Sequence, residues 1–253
     1  MRRVLAVAAL MGMAALVYAA VALATGTQQF YVDAFGTKKP GKATTTHIDL
    51  HSTDPTNAAH NNAPDPARKV VIAFPKGAVI DPKAAPTCSA TALDFQNKGA
   101  AACKSSTIVA TGTASANSTF SSVGEINTTV TGYNGKNKHL LLYVQPSPGA
   151  PAQPFLISAT VSGSKSSGFK LTTTPPPNCL PPGSPPSCTS GEAPLDKFIL
   201  NTKNKSTGKG KNKHTFLTTP STCPKSKFWP FKATITFKTD GTKSYTAKSP
   251  CTK

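Results

Sequence analysis

Apolar and polar residues alternate along short segments of this chain, most clearly near its C-terminus. Residues 231–237 read Phe-Lys-Ala-Thr-Ile-Thr-Phe, which is the period-2 pattern of a strand with one apolar and one polar face. Asp240-Gly241 follows, a pair that tolerates the positive φ of a tight hairpin turn. Residues 242–248 return as the partner strand, so the pattern predicts a β-hairpin that ends at Cys251.

Similar segments, separated by turn residues, recur over most of the chain. Asn134-Gly135 is a strong hairpin signal between two of them. Period-2 segments joined by such turns predict an all-β fold of antiparallel sheets, most readily an Ig-like or jelly-roll-like β-sandwich. One extended sandwich is the first choice, and two packed lobes divided near the proline-rich residues 146–154 are the alternative. The predicted strands are residues 29–32, 44–52, 69–74, 107–113, 125–133, 138–144, 155–161, 169–173 and 194–202.

Two segments depart from the strand pattern. Residues 89–97 are predicted to form one short helix, with Ser89 as its N-cap and Leu93 on its buried side. Residues 175–186 contain seven prolines around Cys179, and proline cannot donate to a sheet ladder. We therefore expect an extended, disulfide-linked loop there.

The N-terminus has the pattern of a targeting segment. Arg2 and Arg3 precede an almost wholly apolar run over residues 4–21, and Ala22-Leu23-Ala24 has the small-x-small form of a cleavage site. Residues 1–24 are thus predicted to be a signal peptide. Because the apolar run approaches the roughly 20 residues that span a bilayer, an uncleaved N-terminal anchor is the alternative. Either way, residues 25–253 are expected to form an exported domain, secreted or associated with the cell envelope.

All six cysteines lie in the exported part of the chain. An even number of cysteines in an oxidising compartment predicts three disulfides. No Cys-x-x-Cys occurs, so the zinc-ribbon and thioredoxin-like interpretations have almost no support. Among the alternative pairings we favour the sequential one, in which each bond closes a short segment: Cys88–Cys103, Cys179–Cys188 and Cys223–Cys251.

The chain is strongly basic, with a formal net charge of +18. Beyond residues 1–24, Arg68 is the only arginine. Arginine grips phosphates and guanine bidentately whereas lysine is a solvated point charge, so sequence-specific nucleic-acid binding is not expected. We predict attraction to an anionic cell-wall polymer or membrane surface. The alternative is that the lysines serve solubility and protect edge strands. The densest cluster comprises Lys203, Lys205, Lys209, Lys211 and Lys213.

One constellation has the spacing of a metal site. His47, Asp49 and His51 alternate along a predicted strand, and alternate side chains share a face. With Asp54 or His60 from the next loop they would offer zinc or copper a set of imidazole and carboxylate ligands. The alternative is a solvated polar strand face.

Signatures of known hydrolases and nucleotide-binding proteins are absent from the sequence. It contains no Gly-x-Ser-x-Gly, His-Glu-x-x-His or Walker loop. We therefore predict no catalytic residues, no cofactor and no enzymatic activity. Trp229, the only tryptophan, is expected to pack over the Cys223 disulfide rather than to stack on a sugar.

Several motifs together resemble a group of secreted, cysteine-stapled β proteins of unknown function from soil actinobacteria. The resemblance covers most of the exported part, implies a bacterial envelope or secreted context, and supplies no catalytic residues. The motifs that carry it, besides the export signal, are Phe74-Pro-Lys-Gly-Ala, Asp81-Pro, Cys88, Cys103, Thr131-Gly-Tyr-Asn-Gly, Thr219-Pro, Cys223-Pro, Trp229, Asp240-Gly241 and Cys251.

Three functional hypotheses follow from the sequence. The first is a non-enzymatic, exported β-sandwich protein that associates with anionic envelope material through lysines. The second is an exported metal-binding or hydrolytic protein built around His47, Asp49 and His51. The third is a structural surface module with no small ligand.

Overall fold

The structure, a computed structural model, describes residues 27–35, 37–57, 62–117, 124–150, 152–175 and 194–252. Within these ranges there are one α-helix, α1 (Ala92–Lys98), and a series of strands. The strands are β1 (Thr27–Phe35), β2 (Thr45–Thr53), β3 (Ala67–Ala73), β4 (Val79–Ile80), β5 (Ile108–Asn117), β6 (Glu125–Asn134), β7 (His139–Pro146), β8 (Phe155–Ser164), β9 (Gly168–Thr173), β10 (Leu195–Thr202), β11 (Ser206–Thr207), β12 (His214–Thr215), β13 (Leu217–Thr218), β14 (Phe228–Phe237) and β15 (Thr242–Pro250).

Eleven of the strands form one antiparallel sheet. Their order is β1-β2-β10-β5-β6-β7-β8-β9-β3-β14-β15, and the first strand lies against the last. The sheet is thus nearly closed on itself. It confirms the predicted all-β, antiparallel class with one short helix, and its closure gives the sandwich a barrel-like form in which inward-facing side chains share one core. The 146–154 segment joins β7 to β8, which pair within this sheet.

The connections between strands of the large sheet alternate between the two ends of the barrel. Those from β1 to β2, β3 to β5, β6 to β7, β8 to β9 and β10 to β14 lie at one end, because the registers place Phe35, Ala73, Asn134, Ser164 and Thr202 there. The remaining connections lie at the opposite end. This alternation determines at which end of the barrel each connecting loop lies.

Two long connections pack across the first of these ends, which we call the capped end. Strand β4 in one connection pairs with β13 in the other, with Ile80 opposite Leu217. Phe74 and Phe216 join these residues in the apolar core of the large sheet. The capped end is therefore closed by side chains that continue the barrel core.

Two of the predicted disulfides are present, and both lie at the capped end. Cys88 is bonded to Cys103 and Cys223 to Cys251, with Cα–Cα distances of 5.6 and 5.7 Å. The third predicted pair, Cys179–Cys188, lies outside the described residues. The two bonds hold the capping connections where they meet the strands.

The C-terminal hairpin has the predicted form. Apolar residues of β14 alternate inward, as in Phe231 and Ala233 with 4% and 0% exposure. Gly241 occupies the turn at φ +71, a conformation that glycine adopts without strain. Trp229 is buried in the cluster that contains Cys251, and its indole Nε1 donates to the carbonyl oxygen of Thr222 over 3.2 Å. Trp229 therefore packs beside the disulfide, as expected.

The predicted helix exists, but its cap and its buried side chain are different. Thr91, rather than Ser89, is the N-cap, and it forms a capping box with Asp94. Leu93, predicted to be buried, is 63% exposed, whereas Phe95 is 2% exposed. The reason is that Phe95 packs between Tyr133 and Tyr143, with ring centroids 5.4 and 5.1 Å away. This turns Leu93, two residues earlier, to the solvent side of the helix.

The β6–β7 hairpin is also present, with different residues in the turn. Gly135 has an extended backbone with φ −84, and the positive φ values fall on Asn137 and Lys138. Asn134 is buried at 2% exposure. Its side-chain amide donates hydrogen bonds to the carbonyl oxygens of Pro82 and Ala85 and takes no part in the turn.

The predicted signal peptide over residues 1–24 lies outside the described residues. Within the described ranges, no helix is both long enough and apolar enough to cross a membrane.

Candidate functional site

Lysines are concentrated at the capped end of the barrel. The alternation of connections brings to this end seventeen lysines from five separate loops, and all but the half-buried Lys205 are exposed. We call this set the lysine-rich end. Its members are Lys38, Lys39, Lys42, Lys76, Lys83, Lys98, Lys104, Lys136, Lys138, Lys165, Lys203, Lys205, Lys209, Lys211, Lys213, Lys225 and Lys227.

The two acidic residues described in the same loops are held by local contacts. Asp81 accepts a hydrogen bond from the Lys83 backbone N–H and lies 2.7 Å from His214 Nδ1. Asp94 accepts from the backbone N–H and the hydroxyl of Thr91, and these hydrogen bonds hold the pKa of Asp94 below its usual value. Among the described residues, Lys98 alone forms an ion pair with Asp94, at 3.7 Å. The charge of the lysine-rich end is thus largely uncompensated.

In the described loops of the opposite end, acidic residues outnumber lysines. In its described loops the only lysine is Lys238, against the three carboxylates of Asp54, Asp65 and Asp240. Asp65 Oδ2 accepts from the backbone N–H groups of Thr239 and Asp240, each over 2.7 Å. The described loops of the two ends therefore differ in the sign of their charge.

The predicted 203–213 lysine cluster is one part of the lysine-rich end. Its chain segment forms a small hairpin in which β11 pairs with β12. The hairpin is fixed to the barrel by hydrogen bonds from Lys203 N to Val109 O (2.7 Å) and from Phe216 N to Lys205 O (2.9 Å). The five lysines that sequence analysis singled out are thus presented on an anchored loop.

His47, Asp49 and His51 share the outer face of β2. His51 Nε2 lies 2.7 Å from Asp49 Oδ1, close enough for an ion pair when His51 is protonated, although this oxygen has no well-aligned hydrogen bond. His47 Nδ1 pairs with Asn201 Oδ1 at 2.8 Å, and its Nε2 is 3.9 Å from Asp49 Oδ2. Asp49 therefore lies between the two imidazoles.

Among the described residues, no three His, Cys, Asp or Glu side chains are placed to hold one ion together. Asp54, the suggested additional ligand, instead accepts from the Thr56 backbone N–H and hydroxyl. His60, the other suggested ligand, lies outside the described residues. A metal-binding role for these residues stays a prediction.

An apolar cavity of about 80 Å³ lies inside the barrel. It runs from the middle of the sheet, at Leu142 and Leu200, towards the end opposite the lysines, at Phe155 and Leu195. Its walls are formed by inward-facing side chains of β2, β3, β5, β7, β8, β9 and β10. Ala114, a small residue of the lining, lies opposite the larger Phe198 of β10.

Most members of the lysine-rich end, and the existence of the cavity, were not predicted from the sequence. Only five of the seventeen lysines form a dense cluster in the sequence; the others are distributed over separate loops. The sequence did contain one signal for these lysines, which is the order of the loops along the chain. Every second connection of an antiparallel sheet returns to the same end. The cavity gave no such signal, because it depends on which non-sequential strands become neighbours.

Comparison of the chain with protein-family models, with curated proteins and with solved structures gives no match.

Proposed function

We propose that this chain is an exported, non-enzymatic, barrel-like protein that associates with anionic polymers or surfaces of a bacterial cell envelope through its lysine-rich end. The observation that carries the proposal is the gathering of seventeen lysines at one end of the sheet. Solubility alone requires no such segregation, since lysines spread over the whole surface would serve it equally.

The residue type fits this class of partner. Lysine ammonium groups are strongly hydrated point charges that attract any dense array of negative charge without fixed geometry. Each lysine near an anionic membrane surface contributes about 1 kcal/mol, and the attraction decays within a Debye length of roughly 10 Å at 0.1 M salt. Loops that present many lysines to one flat surface are suited to such additive, salt-sensitive binding.

The two disulfides are compatible with an extracellular location. The predicted signal peptide and the resemblance to secreted actinobacterial proteins support the same compartment. Neither bears on which envelope component is bound, so the proposal extends only to its negative charge.

The test is binding of the purified protein to wall polymer and to anionic lipid vesicles over a salt series. We expect binding at low salt that weakens steeply as salt is raised. Replacing Lys209, Lys211 and Lys213 by glutamine removes about 1 kcal/mol for each lysine that contacts the surface. Comparing the two materials shows which source of negative charge is preferred.

The matched control changes the same net charge elsewhere. Lys69, Lys197 and Lys238 lie on the strands or loop nearer the opposite end, and their replacement by glutamine is expected to leave binding nearly unchanged. If the two triple variants lost equal amounts of binding affinity, the effect would depend on net charge alone. That result would contradict a contact made by one particular end of the barrel. Binding that is insensitive to salt would contradict the proposal altogether.

A further inference from the structure

We propose that the apolar cavity inside the barrel binds a single alkyl chain of a lipid or fatty acid. This is a second site, separate from the lysine-rich end, and it lies towards the other end of the barrel. The chemistry of the lining, its extent along the strands and the exposure of its mouth support this site.

The described lining offers almost no hydrogen-bond partners to a bound water. Thr173 is the only described lining residue with a polar side chain, and its hydroxyl already donates to the carbonyl oxygen of Ser158 over 3.3 Å. A buried water typically needs two to four polar partners. The cavity of about 80 Å³ exceeds the roughly 10–15 Å³ that one water requires, so it has room for a molecule but favours an apolar one.

The cavity lining follows the strands over several residues. Along β8 its lining extends from Phe155 to Ala159, and along β10 from Leu195 to Leu200. At about 3.3 Å per strand residue these stretches measure roughly 13 and 17 Å. A lining that extends along the strands in this way suits an extended, unbranched chain.

The mouth has the exposure expected of an entry. Leu195 is 36% exposed, and Phe155 and Phe198 are half-buried, whereas Ala159 and Leu200, deeper in the cavity, are 0% and 2% exposed. Large apolar side chains that keep contact with solvent at the rim of a cavity are typical of small-molecule sites. A chain can therefore enter from this end while its head group stays in water.

The experiment is isothermal titration of the full protein with alkyl phosphocholines of increasing chain length, below their micelle concentrations. A zwitterionic head group is chosen because anionic heads would also be attracted to the lysines. We expect one binding site, with affinity rising about fourfold per methylene until the cavity is full, and little dependence on salt. Parallel titration with fatty acids of equal chain length distinguishes a lipid from a free acid as the source of the chain.

The cavity-filling variant is Ala114→Leu, whose added methyl groups would occupy the space that the chain needs. The matched control is Thr113→Leu, an exposed position on the same strand. We expect at least a tenfold loss of affinity in the first variant, with unchanged circular dichroism, and none in the second. If Ala114→Leu does not fold, Ala159→Leu tests the same space from β8. Absent binding, affinity independent of chain length, or wild-type affinity in a folded cavity-filling variant would overturn the proposal.

Discussion

Asn134 Nδ2 donates to the carbonyl oxygen of Ala85 over 2.8 Å, and the carbonyl oxygen of Pro82 lies at the same distance. Asn134 is the last residue of β6, and Ala85 belongs to the connection that covers the capped end. One buried amide therefore joins the capping segment to the barrel wall. These carbonyls have little access to water, so the contact is of structural importance.

We predict that Asn134→Ala lowers the free energy of unfolding by about 2 kcal/mol, because it leaves buried carbonyl groups without a donor. Denaturant unfolding followed by circular dichroism measures the loss. Asn127→Ala, at an exposed position of the same strand, is expected to change stability by less than about 0.5 kcal/mol. Equal effects of the two variants would contradict the role given to Asn134.

Gly112 is required by a close approach between strands β5 and β10. A Cβ atom at this position would overlap the carbonyl oxygen of Ile199 and lie 3.1 Å from the Cα of Leu200. Both obstacles are backbone atoms and cannot rotate away.

We therefore predict that Gly112→Ala destabilises the protein by more than about 3 kcal/mol, as expected when substitution forces strands apart. Thermal unfolding measures the effect. Gly149→Ala is the control: its Cβ would meet no atom within 4 Å, and it bears only the strain of φ +84, about 1 kcal/mol. A Gly112→Ala protein as stable as the Gly149→Ala protein would contradict the close approach.

Each of the two observed disulfides closes a loop of modest length, 15 residues for Cys88–Cys103 and 28 for Cys223–Cys251. Replacing either pair by serine is expected to cost about 3 kcal/mol on the chain-entropy account. Chemical denaturation of each double variant measures this cost. Peptide mapping without reduction should also show Cys179 joined to Cys188, and a Cys103–Cys179 crosslink would contradict the sequential pairing.

Burial raises the pKa of Tyr133 and of Tyr143, which pack against Phe95; the neighbouring Tyr143 adds to the effect on Tyr133. The folded state therefore prefers the neutral phenol more strongly than the unfolded chain, whose tyrosine pKa is about 10. The resulting stability is fully present below pH about 10 and is lost as pH rises through the folded pKa values.

We predict that the melting temperature falls as pH is raised above about 10, and that it falls less steeply in Tyr143→Phe, which has no phenol to ionise at that position. Thermal scans between neutral and strongly alkaline pH measure both curves. All other titrating groups are common to the two proteins, so their difference reports the Tyr143 phenol together with its effect on the neighbouring Tyr133. Parallel curves would show that this phenol ionises equally well in the folded protein.

Local sequence patterns were sufficient for the strands of the large sheet, although not for the short strands β4, β11, β12 and β13, and they did not predict how the strands are arranged. The alternation at residues 231–237 predicted β14 because side chains two apart share a face. Nothing in that pattern specifies that β14 pairs with β3, or that β10 lies between β2 and β5. Closure of the sheet follows from these non-local pairings. For the same reason Phe95, rather than Leu93, is the buried residue of α1: its partners come from β6 and β7.

The lysine-rich end was predictable in principle, and the cavity was not. The loop containing Lys38 and the one containing Lys136 are far apart in the sequence, yet each follows an odd number of strands of the large sheet, one and five, and so both reach the same end. The cavity arises where Ala114 and Ala159 face larger side chains from other strands, and only the folded arrangement shows where they leave space.

The excess of lysines at the capped end gives the described part of this molecule a charge asymmetry, and so a dipole component, along its barrel axis. In the field of a negatively charged surface, a dipole of this sense turns until its positive end leads. The protein would therefore arrive in one orientation, before any contact is made. Since the cavity mouth lies at the trailing end, molecules held on such a surface would form a layer whose apolar openings all face the surrounding medium.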